Sequence, residues 1–102
     1  MTELVTLTDV PDLADGDLRA FDVKGIRIAV ASVNGTLYAF DNTCTHLHCS
    51  LAEGELDGKV VTCPCHGSQF DVTTGAVLRG PAREPVRSYP VGHEDERLQI
   101  EM

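Results

Sequence analysis

Cys44-Thr45-His46 and, beyond a gap running from Leu47 to Thr62, Cys63-Pro64-Cys65-His66 form the stretch on which the reading of this chain turns. Read as Cys-x-His and Cys-x-x-His, it offers two thiolates and two imidazoles in two short clips, each suited to close on one metal centre. Such a mixed pair suits a [2Fe–2S] cluster in which one iron takes Cys44 and Cys63 and the other takes His46 and His66. Charge explains why the mixture matters. Two ferric ions and two sulfides sum to +2, so four thiolates would leave the oxidised cluster a dianion. Two thiolates and two neutral imidazoles leave it neutral, and a monoanion once reduced. Adding an electron to a neutral centre in a low-dielectric pocket costs less than adding one to a dianion. The potential therefore rises, to roughly −150 to +300 mV for this ligand set.

The same residues admit a second metal. Cys44, Cys49, Cys63 and either Cys65 or His66 would supply four ligands to a structural zinc, through Cys-x4-Cys and Cys-x-x-His spacings. Zinc leaves Gly67-Ser68 and Gly80-Pro81 without a role. Cluster sulfurs need close backbone N–H groups, which glycine-rich turns supply. His93 lies in a polar stretch and reads as an ordinary exposed histidine.

Composition bounds the rest. At 102 residues the chain is one domain, large enough for a core and small enough to need a staple. Without Trp and with few other aromatics, that core must be built mainly from Val, Leu, Ile and Ala. No apolar run approaches the ~20 residues of a membrane span. No basic segment followed by an apolar one opens the sequence, so a cytoplasmic location is expected. A net charge of −8 disfavours nucleic acid and anionic membranes. It either favours a basic partner surface or simply keeps the domain soluble.

Along the chain the signal is β throughout. Strands are expected at 4–7, 18–23, 26–33, 37–40, 54–56, 59–62, 70–72 and 76–78, with a final hairpin of 85–91 and 97–101 around a loop at 92–96. In 26–33, Ile26, Ile28 and Val30 alternate with Arg27 and Ala29. Asn34-Gly35 and Asp57-Gly58 are two-residue hairpin signals, because both turn positions favour positive φ. Residues 8–17 read as a turn-rich connection with room for one helical turn. This layout puts both metal clips at hairpin tips.

Cys44-Thr-His-Leu-His-Cys49 resembles the first cluster loop of the Rieske iron–sulfur family, and Cys63-Pro-Cys-His-Gly-Ser68 resembles its second. Gly80-Pro81-Ala82 is similar to the proline loop that covers the cluster in these proteins. Length and hairpin spacing resemble the small soluble Rieske ferredoxins, which pass electrons to ring-hydroxylating oxygenases. The resemblance implies an all-β Rieske fold in a single domain, 1–102. Its antiparallel base, sandwich- or barrel-like, would comprise 1–41 and 74–102, with a small cluster-binding β subdomain inserted at about 42–73. It also implies one [2Fe–2S] cluster per chain and a monomer that carries electrons and performs no bond chemistry. The redox partners would be a flavin-containing NAD(P)H reductase and a terminal oxygenase. Two other roles are weighed beside this one: a small electron-transfer subunit of a metalloenzyme or respiratory oxidase, and a Rieske-like subunit of a nitrite reductase.

Four further positions take their expected roles from the same resemblance. Cys49 and Cys65 match cysteines that form a disulfide between the loops in the high-potential, quinol-oxidising members, a pair that small oxygenase-type ferredoxins usually lack. Such a bridge is worth about 3 kcal/mol in the chain-entropy model. Ser68 matches a serine whose hydroxyl donates to a bridging sulfide. Phe70 stands where high-potential members carry a tyrosine that donates to a ligand thiolate, so one donor is missing and an intermediate potential is expected. His48 replaces the glycine expected between Leu47 and Cys49.

Overall fold

A computed structural model describes residues 4–7, 14–23, 25–45, 49–65, 67–94 and 97–101. Among these residues the strands are β1 (Leu4–Leu7), β2 (Leu18–Val23), β3 (Ile26–Val33), β4 (Thr36–Asp41), β5 (Glu55–Asp57), β6 (Val60–Thr62), β7 (Gln69–Asp71), β8 (Val77–Arg79), β9 (Ser88–Tyr89), β10 (Val91–Glu94) and β11 (Arg97–Glu101). They form three antiparallel sheets, in the orders β1-β11-β10, β2-β3-β4-β9 and β5-β6-β7-β8. The only helical element described is a single 3-10 turn, Leu51–Glu53. No described helix is long and apolar enough to cross a membrane.

The β3–β4 ribbon is the centre of the structure because both of its faces are buried. Ile28 and Val30 of β3 and Ala39 of β4 turn to one side, into a core with Val23, Tyr89 and Ile100. Ala29, Ala31 and Phe40 turn to the other side, into a core with Cys44, Leu51, Val61, Cys63, Phe70 and Val72. Alternation along each strand sorts these residues between the two faces. The second face works through a size match: Ala29 stands directly opposite Phe40 in the register, so a small residue makes room for a large one. The expectation of a strand with one apolar face is thus corrected. Ile26 begins the strand exposed, while Ala29 is fully buried.

The hairpins follow their turn chemistry. Asn34 and Gly35 have φ of 53° and 82°, and β3 and β4 close around them as expected. The second turn is shifted by one residue. Asp57 pairs with Val60, so the two-residue loop is Gly58-Lys59 rather than Asp57-Gly58. Gly58 alone takes positive φ, at 58°, the arrangement of a loop that needs glycine at its first position. Beyond β7, Asp71 organises the next turn. Its Oδ1 accepts from the Thr73 N–H (2.8 Å) and hydroxyl (2.5 Å), and its carbonyl accepts from the Gly75 N–H (2.6 Å). Burial works against the Asp71 charge, but the Thr73 donors and the Lys59 ammonium outweigh it and hold the carboxyl below its ordinary value.

The C-terminal segment departs further from expectation. The expected strand 85–91 is divided at Pro90, which has no N–H to give a ladder. Ser88 and Tyr89 pair with β4, whereas Val91–Glu94 pair with β11 in a different sheet. Pro90 spends its carbonyl on the Glu101 N–H, 2.9 Å away. Gly92, His93 and Glu94, expected in a loop, are strand residues. The helical turn expected near 8–17 falls mostly on 8–13, outside the described residues, and residues 14–17 form a turn closed by Asp17 N–H to Ala14 carbonyl.

Tyr89 fastens β9 to the ribbon by donating to Asp41 Oδ1 at 2.5 Å. Burial, then the hydrogen bond to Asp41 and that carboxylate's charge, push the phenol up to about 12 against the opposing pull of Arg87. A raised phenol stabilises the fold fully below its unfolded value of about 10 and loses that contribution as pH climbs. Tyr89→Phe should therefore cost about 1.5 kcal/mol at neutral pH, the value of a hydrogen bond to a charged group. Denaturant midpoints should show this cost shrinking as pH rises from about 10 to about 12. A cost that stays constant across that range would refute the assignment.

Candidate metal centre

Two six-residue loops, built alike, form the site. In the first, the Cys44 N–H donates to the Cys49 carbonyl at 2.9 Å, and Thr43 bridges Ser50 just behind it. In the second, the Cys63 N–H donates to the Ser68 carbonyl at 2.8 Å, and Thr62 pairs with Gln69 behind it. Each is therefore a hairpin tip closed between its first and sixth residues. In the second, Gly67, whose φ is 78°, also donates its N–H to the Cys63 carbonyl at 3.2 Å.

Both loops are anchored to what lies beneath. Asn42, buried at the end of β4, uses every polar group it has. Its side chain donates to Ser50 Oγ (2.8 Å) and accepts from the Ala52 N–H (2.9 Å). Its backbone N–H reaches the Arg27 carbonyl, and its carbonyl accepts from Leu51. This fixes the 3-10 turn that follows the first loop. A Cβ on Gly54 would run into the Thr62 carbonyl, so only glycine lets the chain pass the base of the second loop.

The loops also hold the 80–84 segment from two sides. Thr45 in the first loop donates its hydroxyl to the Glu84 carbonyl at 2.7 Å. Ser68 in the second accepts from the Ala82 N–H at 3.0 Å. Gly80-Pro81, joined by a cis peptide bond, lies in the segment so latched. Neither Asn42 nor Thr45 was singled out from the sequence. Each is a small polar residue next to a metal clip, a signal that exists but does not distinguish a structural hydrogen bond from an exposed loop residue.

Of the expected site residues, Cys44 and Cys63 are buried, at 1 % and 3 % exposure, in one apolar core that also contains Phe70. Cys49 and Cys65 are joined by a disulfide with Cα atoms 6.4 Å apart, which ties loop to loop. The Cys63 sulfur lies within 4.8 Å of both disulfide sulfurs. Bonded to each other, Cys49 and Cys65 offer no thiolate, so the four-ligand zinc set falls to Cys44, Cys63 and His66. Two thiols left in an apolar core, on facing loops with backbone N–H groups and glycine nearby, fit the thiolate half of an iron–sulfur centre. His46, His48 and His66 lie outside the described residues.

Comparison with known proteins agrees with this chemistry. The model of the family described as the Rieske [2Fe-2S] domain matches residues 3–90. The ferredoxin component of the naphthalene 1,2-dioxygenase system of Pseudomonas putida is 37% identical over 100 residues, covering 98% of this chain and 93% of the relative. The ferredoxin component of the p-cumate 2,3-dioxygenase system of Pseudomonas putida is 38% identical over 104 residues, covering 100% and 88%. Among solved structures, the Sphingomonas yanoikuyae B1 ferredoxin superposes with a TM-score of 0.90 at 36% identity, covering 98% of this chain and 99% of its own. A chain in a complex of reduced oxygenase and oxidised ferredoxin of carbazole 1,9a-dioxygenase gives 0.89 at 33% identity, covering 95% and 91%.

With the loops bridged, iodoacetamide added to protein unfolded without reductant and stripped of metal should label Cys44 and Cys63 only. Cys49 and Cys65 should react after reduction. The Cys49→Ser/Cys65→Ser variant should lose about 3 kcal/mol of stability. Four reactive thiols before reduction would show that the bridge does not form.

Proposed function

The chain belongs to the Rieske [2Fe–2S] domain family, and from that premise we propose that it is a one-electron carrier, the ferredoxin of an oxygenase system, standing between a flavin NAD(P)H reductase and a terminal ring-hydroxylating oxygenase. The observation that carries this reading is the pair of buried thiols, Cys44 and Cys63, on two loops clamped to each other. Its cofactor is a Rieske-type [2Fe–2S] cluster, which when bound supplies one reversible electron. In this proposal Cys44 and Cys63 hold one iron and His46 and His66 the other. The histidine assignment rests on their spacing from the cysteines. The single domain 1–102, with a cluster-binding part at about 42–73, acts as a cytoplasmic monomer and makes or breaks no substrate bond.

The protein's own residues set the conditions of transfer. Burial of the thiols keeps water from the thiolate side of the centre. Ser68 accepts from Ala82, which leaves its own O–H proton to donate toward the cluster and steady the added charge. Phe70, fully buried in the same core, has no proton to give. The disulfide and latches hold the loops still, so little rearranges when the charge changes. Gly80 and Pro81 cover the centre from the latched segment. The bridge between Cys49 and Cys65, together with Ser68, favours the alternative of an electron-transfer subunit of a metalloenzyme or respiratory oxidase. Near-full-length similarity to ferredoxin components supports the first reading over it.

Protein prepared without oxygen should contain two irons and two acid-labile sulfides per chain. His46→Ala and His66→Ala should each abolish the centre or change its spectrum, while His93→Ala should leave it intact. One zinc and no sulfide would defeat the proposal. Phe70→Tyr should raise the midpoint potential by roughly tens of millivolts: a hydrogen bond to a charged group is worth about 1.5–3 kcal/mol and ~1.4 kcal/mol corresponds to 59 mV for one electron, but much of the bond acts on both redox states. An unchanged potential with the cluster intact would remove position 70 from the residues that tune it.

A further inference from the structure

One group of sulfur atoms is closer together than iron ligation requires. The Sγ atoms of Cys49, Cys63 and Cys65 all lie within 4.8 Å of one another, and Cys44, in the same core as Cys63, is not one of the three. Cys49 and Cys65 are bonded, so a thiol stands directly against a disulfide. The three residues differ in exposure: Cys63 is buried, Cys49 is half-buried and Cys65 is exposed. External thiols and oxidants are thus kept from Cys63, while the bridge lies beside it. Such closeness replaces a bimolecular encounter by an intramolecular one, which raises the rate of thiol attack by orders of magnitude.

The layout also selects which sulfur is attacked. Attack on Cys65 would join Cys63 to Cys65 across Pro64 alone and leave the two loops untied. Attack on Cys49 joins Cys49 to Cys63, which still ties the first loop to the second. It also makes the exposed Cys65 the leaving thiol, where water can solvate it. The new ring is shorter than the old one by only the two positions from Cys63 to Cys65. Loop-closure entropy varies with the logarithm of length, so the two bridges are nearly equal in closure entropy.

We propose that Cys49, Cys63 and Cys65 form a thiol–disulfide exchange site that holds the Cys63 sulfur whenever it carries no iron. This rests on the reading of Cys63 as a cluster ligand. With iron bound, that sulfur is committed, and the bridge stays between Cys49 and Cys65. Without iron, the Cys63 S–H gives up its proton, its sulfur bonds to Cys49 Sγ, and the bond from Cys49 to Cys65 breaks. Cys65 keeps the electron pair of that bond and takes a proton. One thiol and one disulfide stand on each side, so no oxidant or reductant is consumed. The product shields the ligand sulfur from oxidation beyond the disulfide level. The freed Cys65 attacks Cys49 in turn and returns Cys63 to iron.

Mapping the free thiols tests the site. Protein purified without oxygen or added thiol is assayed for iron and sulfide, then divided into a loaded portion and one stripped by a chelator, both kept folded. Each is later unfolded in excess N-ethylmaleimide at weakly acidic pH, and tandem mass spectrometry locates the labels. The loaded portion should carry label on Cys44 and Cys63. In the stripped portion label should move from Cys63 to Cys65 on roughly a tenth or more of the chains, since the two bridges close with similar entropy. The rate of the move should not depend on protein concentration, and in Cys63→Ser no label should reach Cys65. No movement of label, movement to Cys49, a rate that rises with concentration, or label on Cys65 in Cys63→Ser would each overturn the exchange site while leaving the carrier function standing. Purified protein with no iron or sulfide would overturn both, and the opening assay separates that outcome from the others.

Discussion

Two thiols held in one apolar core are the constraint on which this structure depends. A pair of cysteines bound to one iron must stay together in both redox states, and loops by themselves do not keep such a geometry. Here the loops are closed, bridged and latched. Each is sealed by a hydrogen bond between its first and sixth residues, at 2.9 and 2.8 Å. A disulfide links one to the other, and Thr45 and Ser68 share hold of the 80–84 segment. A small domain has too little core to supply this rigidity through packing alone. Covalent and hydrogen-bonded ties supply it locally, where the function needs it.

The base carries the site through one shared element. With both faces buried, the β3–β4 ribbon belongs to two cores at once, and the core on the site side includes Cys44 and Cys63. A shift in the ribbon would therefore reach the thiols directly. Small residues make this possible: Ala29 and Ala31 let the β5-β6-β7-β8 sheet come close, and Phe40 fills the space they leave. Asn42 continues the same ribbon toward the first loop, so the strand end and the 3-10 turn after the loop are tied by a single side chain.

Much of this was legible in the sequence, and the exceptions have physical causes. Asn34-Gly35 marked its hairpin because few other residues tolerate left-handed backbone at both positions. Asp57-Gly58 marked a hairpin too, but its register moved by one, since a glycine followed by an ordinary residue closes the turn equally well. Ala29 and Ala31 gave no warning of a second buried face, because alanine is neither clearly apolar nor clearly polar in a pattern of alternation. Pro90 reads in the sequence as part of one strand, 85–91, and only the sheet pairing shows that the chain changes sheets there. The thiol positions and the bridge were readable from spacing and family likeness. Asn42 and Thr45 were not, since their value comes from partners ten and thirty-nine residues away.

The account as a whole stands on mixed ligation, with cysteine sulfur on one iron and histidine nitrogen on the other. Electron–nuclear double resonance on the reduced protein, grown with nitrogen-15 histidine and all other nitrogen at natural abundance, tests it most directly. Two distinct nitrogen-15 couplings to the cluster spin, one lost in His46→Ala and the other in His66→Ala if either variant retains iron, are the predicted result. A reduced cluster with no coupling to histidine nitrogen would contradict it.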